Sequence, residues 1–315
     1  VEQPQSSELP AAVSGNGSEA ASPAASPSSA SLPAPRPAPQ PCPNCAVPAQ
    51  LTQPGEQAAT AAYVYALGRI EPRFPRLSVE KEYAQATGRA ETAGLTDRQA
   101  LHTVLSQPEN RYLARQLCYI LTIEGLDTYI VYPGDPADLQ TLIESLRVNP
   151  QPGDIDVVIG RRGPIAPPDL CNGLTVPIVI FDQIYSFDRA SFITSIPRPE
   201  NTSDEQFRPT AEELFDKMIQ MADNAGATDA DRAVNYCALR YPQIYAKAAE
   251  SLAANSSLSG LEVRTSALSG PRKIVEVIFS YTNRSTDVTE KAFARVDVTE
   301  EFPFLHTKLS PYFDR

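Results

Sequence analysis

The sequence predicts an α+β (mixed α/β) protein, with helices and short buried strands first, a helical block next and an antiparallel meander last. Three observations carry that prediction. Leu139, Leu142, Ile143 and Leu146 recur at i, i+3, i+4 and i+7, and Leu214, Phe215, Met218 and Ile219 share one helical face. Residues 155–159 and 176–181 are apolar runs of strand length. From residue 261 onward, three segments rich in β-branched and aromatic residues are parted by Ser-Gly-Pro and Asn-Arg-Ser-Thr-Asp turns.

The front of the chain has a different character. Twelve of the 30 prolines lie in the first 60 residues, and no aromatic residue precedes Tyr63. A stretch of mainly Ala, Ser, Pro, Gly and Gln cannot bury enough apolar surface to offset its ordering entropy. Residues 1–60 are therefore expected to be an interdomain linker, extended and polyproline-like over 31–41, with Cys42-Pro43-Asn44-Cys45 near its end. The chain opens at Val1 with no charged and apolar leader pattern, which reads as a piece cut from a longer multidomain protein. Residues 61–315 are expected to be globular, as one domain or as two lobes, 61–200 and 205–315.

In chain order, Val64, Tyr65, Leu67 and Ile70 suggest a strand that Pro72 and Pro75 keep extended. Thr96 with Gln99 three residues on marks a capping box and a helix start. The apolar stretch 112–123 reads as a helix entering a strand near 129–132. Asp135-Pro136 opens the helix that carries Leu139 to Leu146. Helices are expected over 210–224, with Gly226 beyond its end, and from Thr228 to Tyr241, broken by Pro242 and resumed to about Ala254. Strands at 261–265, 273–281 and 293–299 complete the meander.

Formal charge is −11, with a sequence pI near 4.8. That is the wrong sign for a general nucleic-acid binder. No apolar run approaches the roughly 20 residues of a membrane helix, so neither nucleic acid nor membrane is an expected partner. The sequence holds no Gly-x-Gly-x-x-Gly fingerprint, Walker loop, Gly-x-Ser-x-Gly elbow or His-Glu-x-x-His. Of the 2 histidines, His102 sits among apolar residues on a helix and His306 near the end, and both read as structural.

Two constellations keep a chemical reading. Cys42 and Cys45, spaced Cys-x2-Cys, can place two thiolates on one tetrahedral Zn²⁺. The other ligands would come from Cys118, Cys171, Cys237 or another chain. Cys171, in a Pro-rich loop, is the best placed, whereas Cys118 and Cys237 read as small core hydrophobes. The bland alternative is an unliganded thiol pair in the linker. The second constellation is Gly160-Arg161-Arg162-Gly163 after one strand and Asp182 after another. If those strands are parallel neighbours, Arg161, Arg162 and Asp182 project from their carboxyl ends, where open α/β sheets bind ligands. Paired guanidiniums suit a carboxylate or a phosphate. The bland alternative is a solvated turn with one ordinary ion pair.

Longer words carry a resemblance. The runs YALGRIEPRFP at 65–75, NRYLARQLC at 110–118, DIDVVIG at 154–160, PIAPP at 164–168, FDQIYSFD at 181–188 and FSYTNR at 279–284 resemble one family. It is the C-terminal domain of unknown function of PatA/PatG-type cyanobactin-maturation proteases, and the likeness spans 63–315. In that family the domain follows a subtilisin-like protease or macrocyclase acting on ribosomal precursor peptides. The resemblance implies pathway membership and a cytoplasmic setting with reduced cysteines. The protease motifs His-Gly-Thr and Gly-Thr-Ser-x-Ala are absent from this sequence, so no catalytic residue carries over.

Two functions follow as expectations. One is a non-catalytic accessory domain that binds the pathway protease or macrocyclase, the precursor peptide or a second copy of itself. The other is an uncharacterised peptide-modifying enzyme using Arg161, Arg162 and Asp182.

Overall fold

A computed structural model describes residues 62–90, 92–200, 202–220 and 224–313. The proposed linker 1–60, with Cys42 and Cys45, lies outside the described residues. Strand β1 (Tyr63–Arg73) is followed by helices α1 (Leu77–Arg89), α2 (Asp97–Ser106) and α3 (Arg111–Gln116). Strands β2 (Cys118–Ile123) and β3 (Leu126–Pro133), helix α4 (Leu139–Ser145) and strands β4 (Asp154–Ile165) and β5 (Pro177–Asp188) come next. Helices α5 (Arg189–Ser195), α6 (Asp204–Ile219), α7 (Asp229–Arg240) and α8 (Gln243–Ala253) then lead to strands β6 (Ser256–Thr265), β7 (Ile274–Asn283), β8 (Thr289–Asp297) and β9 (Phe304–Tyr312). The α+β class holds.

The first five strands close into a barrel in the order β1-β2-β3-β5-β4, and the last four form an antiparallel meander, β6-β7-β8-β9. Alternation along β1 splits its side chains between two cores. Val64, Ala66 and Ile70 join Leu121, Val131, Val158, Phe181 and helices α1–α4 in one apolar cluster. Tyr65 and Leu67 face the other way and join Val157, Ile159, helices α5–α8 and the meander in another. Residues of 61–200 and of 205–315 thus share a core.

Local signals account for several boundaries. Thr96 accepts from the Gln99 amide and Gln99 returns the bond, as the capping box requires; Thr228 and Asp231 do the same at α7. Helix α6 begins at Asp204, earlier than expected, with Pro209 inside it. Thr210 Oγ1 donates to the Gln206 carbonyl at 2.7 Å beside that proline. Gly226, at φ +70°, passes so close to β1 that a Cβ would run into the Tyr65 carbonyl, and its own carbonyl accepts from Tyr65 N at 2.8 Å.

Two expectations are corrected. Cys118 does not lie in a helix; α3 ends at Gln116 and Cys118 opens β2. Its Sγ is bonded to that of Cys171, 53 residues on, so Cys171 is not a free thiolate for a metal and the pair is not reduced. Beneath the disulfide, Ile120, Ile130 and Ala166 form a small apolar cluster that the loop carrying Cys171 covers.

Candidate functional site

Strand β4 continues through residues 160–163, where a turn was expected, because β5 supplies partners to Gly160, Arg161 and Arg162 and again to Ile165. The two strands are antiparallel, with Gly160 opposite Phe181, Arg161 opposite Ile180 and Arg162 opposite Val179. The parallel arrangement expected from the sequence does not occur, and these residues do not sit at the carboxyl ends of parallel neighbours. A register shift falls between Ile159 and Gly160, and a Cβ at 160 would collide with the Ile180 carbonyl. Glycine therefore serves the close approach of two strands here.

Successive side chains of a strand point to opposite faces, so Arg161 and Arg162 do not converge on one anion. Arg161 reaches Asp182 instead, Nη2 to Oδ1 at 3.4 Å, with both side chains partly in solvent. A charge pair of that length and exposure is weak. Arg162 donates its backbone N–H to the Ala62 carbonyl at 2.7 Å.

The fold adds two residues to this cluster that the sequence did not single out. Glu301, from the segment between β8 and β9, places its carboxyl beside Asp182. Burial, and then the neighbouring Asp182 carboxylate, push Glu301 up to about 7, against the opposing pull of Arg161 and Arg232. Glu301 Oε1 is buried without a hydrogen-bond partner. Arg232, on α7 and only 2% exposed, holds the same segment by donating to the carbonyls of Val298 at 2.8 Å, Glu300, and Glu301 at 3.2 Å. The Tyr63 ring lies 5.3 Å from its Cζ. Nothing local marks residue 301, since its neighbours come from β5 and α7, more than 60 positions away.

The histidines stand apart from the cluster in their contacts. His102 Nδ1 lies 3.5 Å from Ser106 Oγ on its own helix, and His306 Nδ1 lies 3.0 Å from Thr307 Oγ1. Cys237 is fully buried on α7, and desolvation pushes its thiol up to about 12. Among the described residues, no three His, Cys, Asp or Glu side chains stand together as a metal site. No helix of the described residues is long and apolar enough to cross a membrane.

Residues 201–312, running from α6 to the end of β9, match the family described as PatG C-terminal. That segment, just over a third of the chain, is similar to a PatG C-terminal domain. A solved structure described as the PatG domain of unknown function superposes with a TM-score of 0.65 at 19% identity, covering 80% of this chain and 99% of that one. At that identity the likeness is one of fold. A match over four-fifths of the chain takes in strands of the barrel as well as the PatG C-terminal segment. No curated protein matches the chain.

Proposed function

We propose that this chain is a non-catalytic accessory domain of a cyanobactin-maturation protease or macrocyclase, binding another pathway protein, a neighbouring domain or a second copy of itself. The observation that supports it is how the charged cluster is used. Arg161 is engaged by Asp182, while Arg232 is spent on three backbone carbonyls of the strand connection. These groups join β4, β5, α7 and the segment after β8, which is structural work. The absence of the family's His-Gly-Thr and Gly-Thr-Ser-x-Ala motifs from this sequence supports the same reading. Apolar side chains left in solvent, such as Phe302 and Phe304, suit a partner surface. Co-purification of this chain with the protease domain and with the precursor peptide, together with light scattering of the chain alone, tests the reading. A monomer that retains neither would overturn it.

The alternative is a peptide-modifying enzyme. Glu301, held protonated up to about 7 beside Asp182, supports that reading, because a carboxyl that keeps its proton near neutrality can serve as a general acid. A mass change in precursor or cyclic peptide incubated with the isolated chain would establish it. The same proposal retains Zn²⁺ on Cys42 and Cys45, with ligands completed by another chain. Metal analysis, and melting with and without chelator, tests that part.

A further inference from the structure

We propose that the cleft between β5, α5 and the end of α7 is a binding site for a small organic carboxylate with an apolar body, held by Arg240. The cleft has a volume of about 370 Å³, which is ligand-sized. Phe187, Phe192 and Leu239 supply apolar walls, the two phenyl rings 5.0 Å apart, and Arg240 and Tyr185 supply the polar side.

Arg240 is positioned in advance. Its Cζ lies 5.1 Å from the centre of the Tyr185 ring, and Tyr185 Oη is 2.7 Å from Tyr65 Oη. Burial and the Tyr185 hydroxyl push Tyr65 well above the usual phenol range, so the Tyr65 hydroxyl keeps its proton. Two hydroxyl oxygens can occupy only part of the five N–H donors of an arginine.

Arg240 also lacks what other arginines of the chain have. Arg73, Arg147, Arg189 and Arg295 each meet a carboxylate within 4 Å. Among the described residues Arg240 has no such partner, and the groups acting on it are Tyr185 and Tyr65. An ordered, solvent-exposed guanidinium without a carboxylate, set at the rim of an apolar cleft, matches a carboxylate in both charge and fork geometry. Inorganic phosphate would satisfy the charge but leave the phenyl-lined wall unused, so an anion with an apolar body is the better fit, and the planar guanidinium fork favours a carboxylate. The proposal is independent of the accessory role above.

The test is calorimetric titration of the full chain with hydrocinnamate, and with its neutral amide as the control. Saturable binding of the acid and none of the amide is expected. Arg240→Gln should weaken binding by about ten-fold or more at unchanged melting temperature, as loss of a charge-assisted fork implies. Arg240→Lys should retain part of the affinity, because it keeps the charge and loses the fork. Equal binding of acid and amide, equal binding by Arg240→Gln, or no saturable binding of the acid overturns the site. If Arg240→Gln does not fold, the amide control and Arg240→Lys decide alone. The tripeptide Ala-Ala-Phe, with free and amidated ends, identifies the source. Tighter binding of the free peptide than of hydrocinnamate assigns a peptide terminus, and weaker binding a small acid.

Discussion

Asn235 donates from Nδ2 to the main-chain carbonyl of Tyr65 at 2.7 Å, joining positions 170 residues apart. The same side chain bonds Asn224, whose Oδ1 in turn accepts from the Gly226 amide. Helix α7 is thereby pinned to β1 through buried polar groups. Asn235→Ala leaves the Tyr65 carbonyl and part of Asn224 unpaired in the core. It is expected to cost on the order of 2–3 kcal/mol in urea unfolding. A loss under about 0.5 kcal/mol would show that the Asn235 amide does not hold α7 to β1.

The Cys118–Cys171 disulfide closes a long loop. For a separation of 53 residues, the chain-entropy relation puts its stabilisation at about 4 kcal/mol as an upper figure. The double variant Cys118→Ala/Cys171→Ala is expected to unfold at a lower urea midpoint with a steeper slope, because the denatured chain without the cross-link exposes more surface. Alkylation of the native chain without reductant should leave both cysteines unlabelled, and labelling of either contradicts the bond.

Glu301 makes stability depend on pH near neutrality. Its native affinity for a proton, up to about 7, exceeds the roughly 4.3 of an unfolded chain. Its stabilising contribution is therefore full below about 4.3 and is lost as pH rises through about 7. Melting temperature should fall across that window in the native protein. In Glu301→Gln, the part of the fall due to this group should be missing. Parallel profiles for the two would mean that residue 301 does not titrate in this way.

Thr228 offers a local test. Its hydroxyl accepts the Asp231 amide at 3.0 Å, and Asp231 accepts the Thr228 amide at 3.3 Å. Thr228→Ala should cost about 1 kcal/mol, and Thr228→Ser should restore most of it. Thermal unfolding of the two variants checks the pair.

Features held within one or two helical turns were legible beforehand. The Thr96 box, the apolar face of α4 and the Pro242 break between α7 and α8 depend on residues three to seven apart, and each lies where the spacing puts it. Three strands of the meander were legible too, since they follow one another with short turns between them, whereas the fourth, β9, was not expected. At the candidate site, the Arg161–Asp182 pair was named from sequence, but for a wrong reason: the strands run antiparallel. Arg162 was assigned to the same site and faces away from it by the alternation of the strand.

The sequence by itself determined the α+β class, the helix starts at Thr96 and Thr228, three of the four meander strands and the family likeness, because these rest on near neighbours and on long matching words. Tertiary structure alone decided the closure of β1 to β5, the bonding of Cys118 to Cys171, and the placing of Glu301 beside Asp182 and of Arg240 against Tyr185. Each of these joins groups more than 50 positions apart. Such contacts leave no period or spacing in the chain, and form only where the packing of other residues carries the backbone.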